Sequence, residues 1–160
     1  MKEISLTKGK VALVDDADYE FLSRFKWCAH AITNTFFASR RPTKLFKHEL
    51  MHRAILSPIP KGLEVDHIDG NSLNNQKSNL RPCTRSQNQW NSRLNSNNTS
   101  GVKGVSWYKK RSLWVAHIGV LGKRKTLGYF DEKEAAALAY DNAARSLFGE
   151  FAKTNYGMTA

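Results

Sequence analysis

The sequence has little cysteine and no long apolar run, and each shortage excludes a class of protein. Only two of its 160 residues are cysteines, Cys28 and Cys83, and neither belongs to a C-x-x-C pair. They therefore indicate reduced thiols and no structural zinc site. No apolar stretch approaches the roughly 18 residues of a membrane-spanning helix, and the N-terminus has no hydrophobic signal core. These absences predict a cytoplasmic protein that does not enter a membrane.

Acidic residues are also in short supply. The chain has 14 Asp+Glu against 25 Lys+Arg, which gives a net charge of +11 and an isoelectric point near 9.8. Such a balance predicts a polyanionic partner, either a nucleic acid or a membrane surface. The length allows one ordinary domain or two small ones.

The stretch that holds the candidate catalytic and metal-ligating residues is 65–91, V-D-H-I-D-G-N-S-L-N-N-Q-K-S-N-L-R-P-C-T-R-S-Q-N-Q-W-N. It opens with Asp66-His67, continues through an asparagine-rich polar loop and then gives a short apolar run. The T-R-S-Q segment that starts at Thr84 has the pattern of a capping box, so a helix that carries Asn88 is predicted there. The stretch thus predicts a β-β-α unit whose polar ends bring Asp66, His67 and Asn88 around one point.

These three side chains suit phosphodiester hydrolysis. Carboxylate and amide oxygens are ligands for Mg²⁺ or Mn²⁺, and a neutral imidazole can take a proton from water. A divalent cation with a general base is the minimum set for this reaction. One alternative is a calcium loop at D-x-D-G-N, but the Glu that such a loop needs near its end is missing. The other is that Asp66-His67 is a surface hydrogen-bonded pair.

The motifs D-H-I-D-G-N, N-N-x-x-x-N-L-R and S-x-N-x-x-N resemble those of HNH endonucleases, in the subgroup of phage and intron-encoded homing enzymes. The resemblance implies that His67 is the general base and that Asp66 is a metal ligand. Asn79 takes the middle motif position, which braces the loop through backbone hydrogen bonds. Asn88 takes the last position, where asparagine replaces histidine, and would be the second protein ligand. The implied cofactor is Mg²⁺, with Mn²⁺ as the alternative.

The segment before the motif is predicted to be rich in β-structure. Its pattern indicates a hairpin near the N-terminus, a short helix over residues 16–26 and a second hairpin that turns at Thr33-Asn34. A further helix over residues 49–56 contains His52, which is interpreted as a structural residue of that helix, with a role beside the active site as the secondary alternative. A basic run lies between them and is either a solvated loop or a phosphate contact. It consists of Arg40, Arg41, Lys44 and Lys47.

The composition changes after the motif. The polar residues 93–100 read as a linker, and residues 99–130 then hold seven basic residues and no acidic one. Three strands with tight turns precede a helix that is predicted to start at Asp131 and to end at Gly149. The predicted organisation is a nuclease domain over residues 1–94 with its motif at 65–91 and lead-in at 1–47, a linker over 95–100, and a second domain over 101–157.

This second domain resembles the plant APETALA2 and ethylene-response-factor DNA-binding family. The motifs that carry the resemblance are S-G-V-K-G-V, L-W-V-A-H-I, L-G-Y-F-D and E-A-A-A-L-A-Y-D-N-A-A. It implies that one face of the sheet enters the major groove of DNA. The candidate DNA-binding residues are Lys103, Ser106, Tyr108, Lys109, Lys110, Trp114, His117, Gly119, Arg124 and Thr126.

Not every candidate has the residue that the plant family has at the matching position. Ser106, Gly119 and Thr126 depart from the plant pattern, so the plant target sequence is not implied. Trp107 and Trp114 are equally well interpreted as core residues.

The sequence as a whole predicts an α+β protein. Its β-rich N-terminal region leads into a ββα-metal nuclease core, which is linked to a three-stranded antiparallel sheet packed on one helix. The predicted activity is metal-dependent cleavage of double-stranded DNA, and a monomer that nicks or a DNA-bound dimer are both open. A DNA-binding regulator with a degenerate nuclease fold and an RNA-processing nuclease are the alternatives. The intact Asp66, His67 and Asn88 favour the DNA nuclease.

Overall fold

A computed structural model of the protein describes residues 1–32, 35–41, 48–120 and 122–157. The predicted turn at Thr33-Asn34 and the basic residues Lys44 and Lys47 lie outside these ranges. The chain divides into two compact units, Met1–Asn88 and Gln89–Ala160. In the described ranges, the first unit combines small antiparallel sheets with short helices and the second combines one such sheet with one α-helix, which confirms the predicted mixture of α and β structure in outline. No helix in the described ranges is both long and apolar enough to cross a membrane.

The described residues of the first unit form three small sheets. Its elements in chain order are β1 Lys2–Ser5, β2 Val11–Val14, α1 Asp16–Ser23, β3 Cys28–Ile32, β4 Thr35–Arg40, β5 Glu49–Leu50, α2 Met51–Ile55, β6 Glu64–His67, β7 Leu80–Cys83 and the start of α3 Arg85–Trp90, whose last two residues belong to the second unit. The sheets are β1-β2, β3-β4-β5 and β6-β7, so both predicted hairpins in the lead-in are confirmed. The helix predicted over residues 49–56 is shorter than expected because Glu49 and Leu50 pair with β4 as a strand.

The core of this unit lies between its N-terminal strands and its first two helices. Its buried members are Ile4, Leu6, Ala12, Val14, Leu22, Trp27, Ala29, Ala38 and Met51. The indole of Trp27 donates a hydrogen bond of 2.9 Å to the carbonyl of Leu22, so the ring is buried with its polar atom satisfied. Met51 is fully buried and anchors α2, which fixes the position of the next residue, His52.

The hairpin of β6 and β7 with α3 gives the β-β-α order that the motif predicted. In the hairpin, Asp66 pairs with Arg81 and His67 pairs with Leu80. The capping box at the start of α3 is confirmed in both directions. The Thr84 amide donates to Gln87 Oε1 at 2.8 Å, and the Gln87 amide donates to Thr84 Oγ1 at 3.3 Å.

The second unit is a three-stranded antiparallel sheet against one helix, as the sequence predicted. The strands are β8 Val105–Tyr108, β9 Leu113–Val120 and β10 Lys123–Phe130, in the order β10-β9-β8, and the helix is α4 Lys133–Phe148. Small residues let α4 approach the sheet closely. At Gly104, which has a φ of +75°, an added Cβ would lie 2.0 Å from the Tyr140 ring.

Of the two predicted ends of α4, one is confirmed and one is wrong. The C-terminal prediction is confirmed, because Gly149 caps the helix with a φ of 54°. The N-terminal prediction is wrong, because Glu132 and not Asp131 is the capping residue. Strand β10 continues to Phe130, so the chain needs both following residues to turn from the sheet into the helix.

A buried carboxylate ties the end of the second unit to its helix. Asp141 is fully buried and accepts hydrogen bonds from the backbone amides of Asn155 at 2.8 Å and Tyr156 at 2.9 Å. The Asn155 side chain in turn donates to the carbonyl of Lys103 at 3.1 Å. The C-terminal tail therefore connects α4 to the segment that enters the sheet.

The polar stretch before the sheet is also held by the second unit. Trp90 stacks on Phe148 of α4, with ring centroids 4.4 Å apart and planes 10° from parallel. The Lys103 ammonium donates to the carbonyls of Trp90 and Ser92, both at 2.7 Å. Ser100 Oγ donates to the carbonyl of Val105 at 2.8 Å. These contacts make the residues after α3 part of the packed unit.

Candidate active site and nucleic-acid interface

Strand β6 presents Asp66 and His67 on opposite faces, because side chains alternate along a strand. Both residues are buried, with 4% and 7% of their surface exposed. Asp66 Oδ2 accepts two hydrogen bonds from Arg81 across the hairpin, from Nε at 2.9 Å and from Nη2 at 2.8 Å. This two-pronged ion pair holds the carboxylate in a fixed orientation.

Asn88 reaches the same face of β6 from α3. Its Nδ2 donates a hydrogen bond of 2.7 Å to Glu64 Oε2. Glu64 lies two residues before Asp66 and therefore shares its face of the strand. Sequence reasoning did not single out Glu64, although strand alternation was the signal that could have found it. The bond brings the helix of Asn88 against the strand of Asp66 and His67.

On the other face, His67 belongs to a cluster of three rings. The imidazoles of His52 and His67 meet edge to face, with centroids 5.0 Å apart and planes at 86°. Phe37 completes the cluster, at 5.9 Å from His52 and 6.2 Å from His67. The sequence favoured a structural role for His52 over a role beside the site, and in the structure its ring lies against the predicted general base.

Burial keeps both imidazoles neutral near pH 7. It lowers the pKa of His52 to about 3, with further lowering by the charges of His67 and Arg53. Burial also lowers the pKa of His67, although the Asn75 side chain and the charges of Asp69 and Asp66 oppose that shift. A neutral imidazole is the form that accepts a proton.

Asn79 closes the loop that joins β6 to β7. Its Nδ2 donates to Asp69 Oδ1 at 3.0 Å and to the carbonyl of Asn74 at 2.8 Å, while its Oδ1 accepts from the Asp69 amide at 2.9 Å. Its own carbonyl accepts from the amide of Ile68 at 2.9 Å. Because Ile68 follows His67 directly, this brace fixes the backbone beside the imidazole.

The donor set fits a hard cation that keeps part of its hydration shell. In the described ranges, no group of three or more His, Cys, Asp or Glu side chains could hold a metal. Asp66 and Asn88 could supply one carboxylate and one amide oxygen, and water and phosphate would complete the shell, as is usual for Mg²⁺. The Asn88 amide is suited to this role because its nitrogen, not its oxygen, is engaged by Glu64.

The sheet of the second unit turns one face away from α4. Strand pairing places nine residues on this outer face: Ser106, Tyr108, Leu113, Val115, His117, Gly119, Arg124, Thr126 and Tyr129. Arg124 donates from Nη2 to His117 Nδ1 at 2.8 Å, so these side chains of the neighbouring strands β10 and β9 are hydrogen-bonded to each other. Lys109 and Lys110 are exposed in the turn between β8 and β9.

Four candidate DNA contacts lie elsewhere. Trp114 is on the helix-facing side, where it packs against the core and meets Trp107 edge to face at 5.1 Å. Lys103 is half-buried on its two carbonyl partners, and burial lowers its pKa to about 8. Arg40 is paired with Glu49 and stacks over the Phe25 ring at 4.1 Å. Arg41 is exposed.

Comparison with known proteins matches the two units to two families. A family model described as HNH endonuclease matches residues 45–90, and one described as AP2 domain matches residues 100–150. No solved structure matches the chain significantly.

Relatives along the chain agree with these matches. Protein 3.8 of Escherichia phage T7 is 40% identical over 107 residues, which cover 67% of this chain and 88% of that protein. The uncharacterized HNH endonuclease L560 of Acanthamoeba polyphaga mimivirus is 34% identical over 149 residues, 92% of this chain and 76% of that protein. APETALA2-like protein 2 of Oryza sativa subsp. indica is 39% identical over 61 residues, 38% of this chain and 14% of that protein. The chain therefore belongs to the HNH endonuclease family and also carries an AP2 domain.

Proposed function

We propose that this nuclease cleaves double-stranded DNA in a metal-dependent reaction, with the cutting residues in 1–94 and the residues that hold the DNA in 101–157, on either side of the polar residues 95–100. The observation that carries the proposal is the hydrogen bond from Asn88 to Glu64. It sets α3 against the strand of Asp66 and His67, so that the three motif residues belong to one β-β-α unit. We assign this unit to the ββα-metal core of the family.

In the proposed site, Asp66 and Asn88 hold a divalent cation, Mg²⁺ or Mn²⁺, through one carboxylate and one amide oxygen. Such a cation, when bound, offsets negative charge on the scissile phosphate and on the 3′ leaving oxygen. Arg81 keeps the Asp66 carboxylate oriented through its two hydrogen bonds. Because Asp66 is buried, little water is present to screen the attraction between its carboxylate and the cation. The burial of His67 likewise limits screening around its imidazole.

His67 is the proposed general base. Its neutral imidazole takes a proton from a water molecule, which attacks the phosphorus in line and leaves 5′-phosphate and 3′-hydroxyl ends. The edge of His52 and the ring of Phe37 limit the rotation of the imidazole. Asn79 fixes the loop backbone next to it, so its proposed contribution to catalysis is made through positioning.

The outer face of the AP2 sheet is the proposed DNA-binding surface, with the sheet in the major groove. Arg124, Lys109 and Lys110 supply phosphate contacts that position the protein. Ser106, Tyr108, His117 and Thr126 then face the bases.

Metal dependence provides the first test. Supercoiled plasmid is incubated with the full-length protein in Mg²⁺, in Mn²⁺ and in EDTA, and open-circular and linear products are measured. We expect cleavage with either metal and none in EDTA. Asp66→Ala and Asn88→Ala should both weaken cleavage, and excess Mn²⁺ should rescue Asn88→Ala better, because a carboxylate supplies charge as well as a lone pair whereas an amide supplies only a dipole.

The matched control is Asp131→Ala, which removes an exposed carboxylate from the other unit. It should leave the metal titration of cleavage unchanged. Cleavage in EDTA, or an unaltered metal titration in both site variants, would contradict the proposed site.

A further inference from the structure

Glu64 has no place in the HNH motif, yet it contacts one of the proposed metal ligands. It is half-buried at the start of β6, on the face that also carries Asp66. Its Oε2 accepts the 2.7 Å hydrogen bond from Asn88 Nδ2. This short bond to a charged acceptor belongs to the stronger class of hydrogen bonds.

The contact matters because a side-chain amide has two unlike ends. Only the oxygen of Asn88 can bind a cation, and a half-turn about the last side-chain bond would replace it by an NH₂ group. A carboxylate removes this ambiguity, because an ionised carboxylate only accepts hydrogen bonds. With Glu64 accepting from the nitrogen of Asn88, the other end of the amide is the oxygen, which is the atom that can bind the cation.

We propose that Glu64 is a positioning residue that fixes the amide of Asn88 with Oδ1 presented to the divalent cation. The proposal rests on the metal site described above and adds a residue that acts through Asn88. Carboxylates that orient a ligand in this way typically contribute 10- to 100-fold to metal affinity.

The affinity is measured by titrating Mn²⁺ into the full-length protein bound to a DNA duplex and following free Mn²⁺ by electron paramagnetic resonance. A His67→Ala background prevents cleavage during the titration. We expect Glu64→Ala to raise the Mn²⁺ dissociation constant by about 10- to 100-fold. Glu64→Gln retains an acceptor oxygen for Asn88 and should lie closer to the parent. Glu20→Ala is the charge-matched control, since Glu20 is exposed on α1, and it should have no effect.

A reversal of the hydrogen bond separates positioning from direct ligation. Asn88→Asp places a second carboxylate against Glu64, and the repulsion should weaken Mn²⁺ binding in spite of the added charge. Combining Asn88→Asp with Glu64→Gln lets the new amide donate to the new carboxylate, so the contact is restored with reversed polarity. We expect the double variant to bind Mn²⁺ more tightly than either Asn88→Asp or Glu64→Ala.

The outcomes distinguish this inference from the function on which it rests. If Asp66→Ala loses Mn²⁺ binding but Glu64→Ala does not, the metal site stands and the role of Glu64 is wrong. If Asp66→Ala also binds Mn²⁺ normally, the metal site itself is wrong. A loss in Glu64→Gln as large as in Glu64→Ala, without recovery in the double variant, would make Glu64 a ligand and overturn the positioning role. Thermal unfolding in EDTA identifies any variant whose loss reflects misfolding.

Discussion

The residues proposed for cutting and those proposed for DNA binding differ in how deeply they are buried. In the nuclease unit, the motif residues Asp66, His67 and Asn79 are buried, and each is held by neighbouring side chains or backbone. In the AP2 unit, Arg124 and the turn lysines are exposed. Chemistry requires groups fixed in position with little water around them, whereas phosphate binding requires charges that can reach the DNA backbone. In the proposed function, the same charged and polar residue types thus serve two purposes through different burial.

The largest effect expected from this contrast is on the cutting step. His67→Ala should lower the cleavage rate by about 10²- to 10⁴-fold, the usual loss when a general base is removed. DNA affinity should remain nearly intact, because a buried neutral side chain contributes little to phosphate binding. Single-turnover cleavage and equilibrium DNA binding are measured on the same preparation. Cleavage at the parent rate would show that another group activates the water.

Removing the exposed cations should weaken DNA binding and leave the cutting step almost unchanged. The triple variant Lys109→Gln, Lys110→Gln and Arg124→Gln should reduce the log–log salt slope of DNA binding by about 0.9 for each phosphate that is no longer neutralised. With three phosphates affected, the affinity for DNA should fall by roughly 100-fold at about 0.15 M salt. The cleavage rate of bound DNA should change little, since no cutting residue is touched. Lys133→Gln, a cation of α4, provides the comparison for one charge removed from the helix side.

Full-length variants are better suited to this test than a truncation after residue 94. Such a truncation would retain Trp90 and Ser92 but remove Phe148, which stacks on the indole, and Lys103, which bonds both carbonyls. A loss of cleavage in the truncated protein could then arise from damage to the end of α3, the helix that carries Asn88. An unchanged salt slope in the triple variant would show that DNA is held by another surface.

Local sequence patterns were reliable predictors of structure. The capping box at Thr84 needs only residues within one helical turn, and both of its hydrogen bonds are present. The strand periodicity of residues 102–130 likewise predicted the AP2 sheet, and apolar residues at helical spacing predicted the helix α4. The start of α4 was wrong because the length of the preceding strand, and not the best capping residue, decides where the helix begins.

Contacts between distant parts of the chain could not be predicted in this way. The Glu64 carboxylate meets Asn88 only because α3 folds back on β6. The imidazole of His52 meets His67 only because Met51 anchors α2 in the core. The basic run that contains Arg40 predicted either a solvated loop or a phosphate contact, yet the Arg40 guanidinium stacks on Phe25. Each of these depends on tertiary packing, which a single sequence without an alignment does not display.

The smallest effect concerns stability and tests the buried character of the ring cluster. Burial lowers the pKa of His52 to about 3 in the folded protein, against about 6.5 in an unfolded chain. Above pH 6.5 both states are neutral at this residue. Between pH 6.5 and pH 3 the unfolded chain binds a proton that the folded protein does not, so the free energy of unfolding falls as the pH falls. The loss is about 1.4 kcal/mol per pH unit, or roughly 2 kcal/mol at pH 5.

His52→Gln should remove this dependence, because its side chain is neutral at every pH in the range. The variant has a lower stability at pH 7 for lack of the packed ring, but its free energy of unfolding should decline less between pH 7 and pH 5 than that of the parent. Urea unfolding at several pH values measures the difference in slope. His30→Gln is the control, because His30 is exposed and should leave the slope unaltered. Parallel pH profiles for His52→Gln and the parent would show that His52 is already solvated in the folded protein. The ring cluster would then be as exposed as the cations of the AP2 sheet, and the contrast in burial would fail for this part of the nuclease unit.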